Sequence, residues 1–137
     1  MKEISLHTDT LLRTVIIDDE QKGRKVLQQM LERFCAGVEV VGSADSAAEG
    51  RRLILDQQPD LVFLDIEMPH LNGFGLLESL GERNFDVVFV SAHERYAMQA
   101  IKYSALDYLL KPVNIADLRA AVVKAGRKSH RISNSTP

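Results

Sequence analysis

The sequence predicts an α/β fold: a single doubly wound five-stranded parallel sheet with five helices. Three observations carry that expectation. Short, nearly all-apolar runs recur along the chain, they alternate with segments of helical period, and most of them end in a polar residue. Strands apolar on both sides belong in parallel sheets covered on both faces, and the crossover helices supply the cover.

The first run, Thr14-Val15-Ile16-Ile17, is β-branched and delivers Asp18 and Asp19 at its end. From Glu20 to Phe34 the apolar positions Val26, Leu27, Met30, Leu31 and Phe34 recur at helical spacing, and Gly37 closes the segment. Val38 to Ala44 returns to strand character. Ser46-Ala47-Ala48-Glu49 then has the spacing of a capping box, opening a helix that must stop before Pro59.

Leu61 to Leu64 is the third apolar run, and Asp65 ends it. A Met68-Pro69 turn leads into Leu71 to Leu80, which contains a short helix. Val87 to Val90 ends at Ser91, a helical segment follows over about 94–103, and Tyr108-Leu109-Leu110 ends at Lys111-Pro112. In the last helix Asn114 is the N-cap, Asp117 suits the first turn, and Ile115, Leu118, Val122 and Ala125 share a face up to Gly126.

Composition narrows the function classes. With 137 residues, 45% hydrophobic and 26% charged, the chain is an ordinary globular sequence of one-domain size. A net charge of -2, from 17 basic and 19 acidic residues, argues against direct nucleic-acid binding. The lone Cys35 reads as a small buried hydrophobe. Apolar runs stay far below the roughly 20 residues of a membrane span. The first thirteen residues, broken by Lys2, Glu3, His7 and Asp9, lack the apolar centre of a secretory signal, so a cytoplasmic location is expected.

Ligands of doubly wound sheets bind beyond the carboxyl ends of the strands. At that edge four strands present Asp18 and Asp19, Asp65, Ser91 and Lys111. Taken singly, each is as readily a helix cap or a solvated charge. Together they place three carboxylates in one crowd, which a hard divalent cation would relieve. Oxygen donors alone suit magnesium, and no histidine or cysteine cluster competes, since His7, His70, His93 and His130 are scattered. A carboxylate can attack phosphorus while a metal and an ammonium neutralise the transferring group. Asp65 and Lys111 suit those roles, Ser91 offers a hydroxyl, and Ala92 leaves space beside it.

Over roughly 13–125 the chain resembles the receiver domains of bacterial response regulators, whose fold is flavodoxin-like and CheY-like. Val15-Ile16-Ile17-Asp18-Asp19-Glu20 resembles the family's acidic pair, and Leu64-Asp65-Ile66-Glu67-Met68-Pro69 its phosphorylation segment. Phe89-Val90-Ser91-Ala92 resembles its hydroxyl switch, and Asp107-Tyr108-Leu109-Leu110-Lys111-Pro112 its aromatic, lysine and cis-proline signature. Residues 95–101 with 105–108 most resemble receivers of the LytTR (LytR/AlgR) type.

The resemblance implies that Asp65 receives a phosphoryl group from a sensor histidine kinase or a small-molecule phosphodonor. Asp19, Asp65 and the backbone carbonyl of Glu67 would ligate Mg2+ (or Mn2+), with Asp18 acting through water. Lys111 would pair with the phosphoryl group, Ser91 would move toward it, and Tyr108 would turn inward. The implied organisation is an N-terminal extension over 1–12, a receiver over 13–126 and a polar tail or truncated linker over 127–137. A LytTR DNA-binding output would need about a hundred further residues, so the chain reads as a truncated piece or a stand-alone receiver. A homodimer through residues 94–125 is a further expectation of the family. Family members also tune acyl-phosphate lifetime at the Glu67 and His93 positions, although His93 reads equally as a surface loop residue.

Competing readings fit less well. An Asp-nucleophile phosphohydrolase of the dehalogenase kind carries a second Asp two residues after the first, where this chain has Glu67. A flavodoxin-like redox module needs a Ser/Thr/Gly-rich phosphate loop where Asp18-Asp19-Glu20 stands. A receiver without phosphorylation usually lacks one of the site residues, and all are present.

Overall fold

The structure, a computed structural model, describes residues 11–135. Its elements are β1 (Leu12–Ile17), α1 (Gln21–Phe34), β2 (Val38–Ala44), α2 (Ala47–Gln57), β3 (Leu61–Asp65), α3 (Gly73–Leu80), β4 (Asp86–Ser91), a 3-10 turn (Glu94–Tyr96) running into α4 (Ala97–Lys102), β5 (Asp107–Leu110) and α5 (Ile115–Ser135). The five strands form one parallel sheet in the order β2-β1-β3-β4-β5. The expected architecture is therefore present.

The sheet's two faces are both buried, which is why its strands show no polar alternation. On one face Ile16, Leu61, Phe63, Val88, Val90 and Leu109 pack against Leu27 and Leu31 of α1 and against Leu118, Ala121, Val122 and Ala125 of α5. On the other, Val15, Ile17, Val62, Leu64, Val87 and Phe89 pack against Ile54 of α2, Phe74, Leu76 and Leu77 of α3, and Ala100 of α4. Cys35 is buried in the first cluster, as a small hydrophobe should be.

Local signals act as expected at several helix starts. Ser46 Oγ accepts the Glu49 N–H at 3.2 Å, and Asn114 Oδ1 accepts the Asp117 N–H at 2.8 Å. α3 uses a cap that the spacing did not single out: Asn72 Oδ1 accepts the Gly75 N–H at 3.0 Å.

Some expectations need correction. Val26 and Phe34, which share the helical spacing of Leu27 and Leu31, and Ile115, which shares a face with Leu118, are 46%, 39% and 37% exposed. On α1 the stripe of Leu27 and Leu31 meets the sheet with Met30 packed beside it, while Val26 and Phe34 face outward. Gly126 does not end the last helix, which continues to Ser135. A glycine inside a helix weakens it by roughly 1 kcal/mol but does not break it, and Gly126 lacks the positive φ of a glycine cap. Residues 127–135, expected as a polar tail, are accordingly helical, while residues 136 and 137 and most of the expected 1–12 extension lie outside the described residues.

Candidate functional site

Three parallel neighbours, β1, β3 and β4, end side by side, and the register pairs Ile17 with Leu64 and Asp65 with Val90. That places Asp18, Asp65 and Ser91 at one edge. All three are buried, with relative exposures of 6%, 5% and 0%. Asp19 is half-buried. Asp18, Asp19 and Asp65 each offer one carboxylate oxygen within 4.8 Å of the others.

Asp18 and Asp65 are oriented by their backbone surroundings. Asp18 Oδ1 accepts the Glu20 N–H at 2.9 Å, its N–H donates to the Ala44 carbonyl at 3.1 Å, and its carbonyl accepts from Arg24 Nη1 at 2.8 Å. Asp65 Oδ1 accepts the Glu67 N–H at 3.2 Å, leaving Oδ2 toward the cleft. Two glycines allow this closeness. A Cβ on Gly23 of α1 would lie 2.7 Å from Asp18 Oδ2, and one on Gly73 of α3 would lie 2.6 Å from the Asp65 backbone carbonyl oxygen.

β5 brings the cation. The Lys111 N–H donates to the Ser91 carbonyl at 2.8 Å, and the Lys111-Pro112 peptide is cis. Lys111 Nζ donates to Asp18 Oδ2 at 3.1 Å and lies 3.7 Å from Asp65 Oδ2 and 3.9 Å from Glu20 Oε1. Burial alone would lower the Lys111 ammonium, but the hydrogen bond to Asp18 and the charges of Asp65, Asp18 and Glu20 outweigh it and hold its pKa above the usual value.

For Asp65 the balance runs the other way. Burial pushes its carboxyl up to about 7, and the neighbouring Asp18 adds to the rise, against the opposing pull of Lys111 and the Glu67 N–H. One ammonium does not compensate the negative charge gathered here. A carboxylate cluster whose member resists ionisation is a donor set suited to a divalent cation, since all of its ligating atoms are hard oxygens. An open pocket of about 260 Å³ in front of it is lined by Asp19, Glu20, Asp65, Glu67, Ala92 and Lys111.

The hydroxyl and the aromatic residue meet at a third residue. Ser91 Oγ accepts the His93 N–H at 3.0 Å, and the half-buried Tyr108 donates its hydroxyl to the His93 carbonyl. Asp18, Asp19, Asp65, Ser91 and Lys111 thus share one edge, Glu67 lines the pocket beside them, and Tyr108 reaches it through His93.

Sequence reasoning missed three things. Glu20 faces Lys111 and lines the pocket, though the acidic pair alone drew attention. The Glu67 side chain is held by His93 Nε2 at 3.2 Å and approached by Arg95 Nη2 at 3.6 Å and the Tyr96 hydroxyl at 3.4 Å. Gly23 and Gly73 carry no chemical signal of their own. Helical period offered a clue to Gly23 alone, because it falls one turn before Leu27, on the face turned to the sheet.

Comparison with known proteins agrees with this geometry. Residues 14–123 match the response regulator receiver domain. A response regulatory protein of Vibrio cholerae serotype O1 is 41% identical over 93% of this chain and 53% of its own length. The sensory transduction protein LytT of Bacillus cereus is 38% identical over 74% of this chain and 42% of its own. Among solved structures, the REC domain of the response regulator AraT from Geobacillus stearothermophilus superposes with a TM-score of 0.80 at 28% identity, covering 90% of this chain and 98% of that one. A receiver domain protein from Clostridium thermocellum gives 0.78 at 29% identity, covering 89% and 99%. The chain spans about half the length of the curated relatives it matches, 53%, 48% and 49% of three of them. With family match, relatives and fold in agreement, the chain belongs to the response regulator receiver domains of two-component signalling.

Proposed function

We propose that Asp65 accepts a phosphoryl group, from a sensor histidine kinase or from a small-molecule phosphodonor such as acetyl phosphate. The observation that carries the proposal is the placement of Lys111 Nζ 3.7 Å from Asp65 Oδ2, while the carboxylates of Asp18 and Asp19 converge on the same point. Attack by a carboxylate oxygen of Asp65 on phosphorus forms an acyl phosphate, and the bond from phosphorus to the donor's imidazole nitrogen or acyl oxygen breaks, its electron pair leaving with the donor.

Asp18, Asp19, Asp65 and the backbone carbonyl of Glu67 would hold Mg2+ (or Mn2+), which supplies charge neutralisation at the phosphoryl oxygens. Lys111 pairs with a phosphoryl oxygen and orients it in a site where dielectric is low. Ser91 donates its hydroxyl to another, giving up the His93 N–H, and Tyr108 then leaves the His93 carbonyl for the space vacated. The protein thereby assists its own phosphorylation and dephosphorylation without turning over a separate substrate.

The output face is assigned to residues 94–125, where Met98 is 75% and Ile101 70% exposed, and a second copy is its proposed partner. Resemblance to LytTR-type receivers favours control of a DNA-binding output, with no direct nucleic-acid contact by these residues. Cytoplasmic placement agrees with the absence, among the described residues, of any helix long and apolar enough to cross a membrane. A hydrolase reading is disfavoured because Glu67, where such enzymes carry a second Asp, is tied to His93. Labelling by acetyl phosphate with magnesium, followed by site mapping, tests the proposal. Acid-labile label on Asp65, lost in Asp65→Asn, is expected; acid-stable label, or label elsewhere, overturns it.

A further inference from the structure

We infer that Phe74 couples the state of Asp65 to the position of α4, by a path separate from Ser91 and Tyr108. The inference rests on the phosphoacceptor reading of Asp65. Its starting point is the contact between α3 and the end of β3. Gly73 opens α3 with its N–H on the Ile66 carbonyl at 3.0 Å, and the space a Cβ would need is already filled by the Asp65 carbonyl oxygen, the Leu64 Cγ and the Ile66 Cα. Gly73 brings no side chain of its own to cushion its contact with the Asp65 carbonyl. A displacement of the Asp65 peptide must therefore move the first turn of α3.

Phe74 is the next residue, and it is 3% exposed. Its ring centroid lies 4.8 Å from that of Phe89 on β4, 5.0 Å from Tyr103 in a stacked arrangement, and 6.3 Å from Tyr96. Tyr96 and Tyr103 flank α4 at its two ends. One side chain thus reaches both ends of this short helix, and the residue before it, Gly73, abuts the Asp65 carbonyl.

Tyr103 is fastened both to α3 and to the loop that follows it. Its hydroxyl donates to Glu78 Oε2 at 2.9 Å, and its carbonyl accepts from Arg83, which also donates to the Ser104 carbonyl at 3.2 Å. At the other end the Tyr96 hydroxyl reaches Glu67, two residues beyond Asp65. α4 is therefore clamped to the β3–α3 segment rather than to the sheet alone. Its outward residues, Met98 and Ile101, are carried along by any shift of the clamp. A tightly packed aromatic group that must shift as a unit is a physical means of passing a local change across a domain.

The test uses the full chain with magnesium and beryllofluoride as the phosphoryl mimic, and Phe74→Leu, which keeps apolar volume while removing the ring contacts. Amide hydrogen exchange of residues 94–103 is compared with and without the mimic, beside acetyl phosphate labelling. Wild-type protein should label and show a change of at least about twofold in exchange over this segment. Phe74→Leu should label to the same stoichiometry while its mimic-induced change falls to half or less, and the change around 107–111 should persist. General loosening would raise exchange equally in both states, so the difference between states is what reports coupling.

If Phe74→Leu does not fold, Tyr103→Leu, at a half-buried position, gives the same readout. Normal labelling with an undiminished response of 94–103 overturns the coupling and leaves the phosphoacceptor reading standing. Failure of wild-type protein to label at Asp65 overturns both.

Discussion

Tyr108 donates its hydroxyl to the backbone carbonyl of His93, whose own N–H is held by Ser91 Oγ at 3.0 Å. The two groups expected to respond to phosphorylation are thus braced on opposite sides of one peptide segment. Neither can move without releasing it.

Ser91→Ala is the direct test of that brace. It leaves the His93 N–H without its partner and should destabilise the domain by about 1–3 kcal/mol. Urea unfolding of the metal-free protein measures the loss. Acetyl phosphate should still label the variant, more slowly, and the response of Tyr108, followed by its NMR ring signals with beryllofluoride, should shrink. An unchanged Tyr108 response removes Ser91 from the switch.

Asp65 should also write a pH dependence into stability. Its carboxyl rises from an ordinary 3.8 to about 7 on folding, chiefly through burial. Between those values the folded chain keeps a proton that the unfolded chain has released, so stability falls as pH rises through this window and levels off above it. Asp65→Asn removes the effect. With a chelator present, the variant should exceed wild type by on the order of 1–3 kcal/mol at about pH 8, and the gap should close at acid pH. Denaturant midpoints at both pH values decide this, and a gap independent of pH contradicts it. Magnesium should narrow the gap from the wild-type side, because ligation needs the ionised form.

The parts of this fold that were legible in sequence are those where one residue type has one physical use. Apolar runs such as Leu61 to Leu64 could only be strands buried on both faces, and the acids, hydroxyl and lysine that follow such runs had to share an edge. Contacts between distant segments were not legible. Glu67, His93, Arg95 and Tyr96 meet because two loops fold toward each other, and no spacing in the chain encodes that meeting. Helix ends were legible where a cap makes a specific bond or a proline forbids continuation, as Pro59 does after α2. Asn114 makes such a bond, whereas Gly126 suggested an end that packing and helix continuity override.

Lys111→Ala should separate charge balance from metal binding. The ammonium is the site's nearest positive charge to Asp65, yet it donates its hydrogen bond to Asp18. Its removal should leave magnesium affinity intact or raised, because a cation competing for the same carboxylates has gone. Labelling by acetyl phosphate should nevertheless slow by about tenfold or more, since a preorganised charge at the phosphoryl group is lost. Calorimetric titration with magnesium and the initial labelling rate measure the two effects. A variant that labels at the wild-type rate excludes Lys111 from the mechanism.

The two glycines beside the site should fail in different ways. In Gly73→Ala the new methyl meets the Asp65 carbonyl oxygen at 2.6 Å, with Leu64 Cγ at 3.1 Å and Ile66 Cα at 3.3 Å behind it, and the nearest clash is with backbone, which has little room to give. Destabilisation of about 1–3 kcal/mol is expected, read from the unfolding midpoint. In Gly23→Ala the methyl meets the Asp18 carboxylate at 2.7 Å, a side-chain end that can rotate. Rotation would weaken its bonds to the Glu20 N–H and to Lys111, which orient it. Stability should then fall by less than in Gly73→Ala, while magnesium affinity drops several-fold, because Asp18, proposed to support the ion, would be displaced by a few tenths of an ångström at a site whose geometry that ion constrains tightly. A Gly23→Ala variant with full magnesium affinity would show that the orientation of Asp18 is not what α1 contributes to the site.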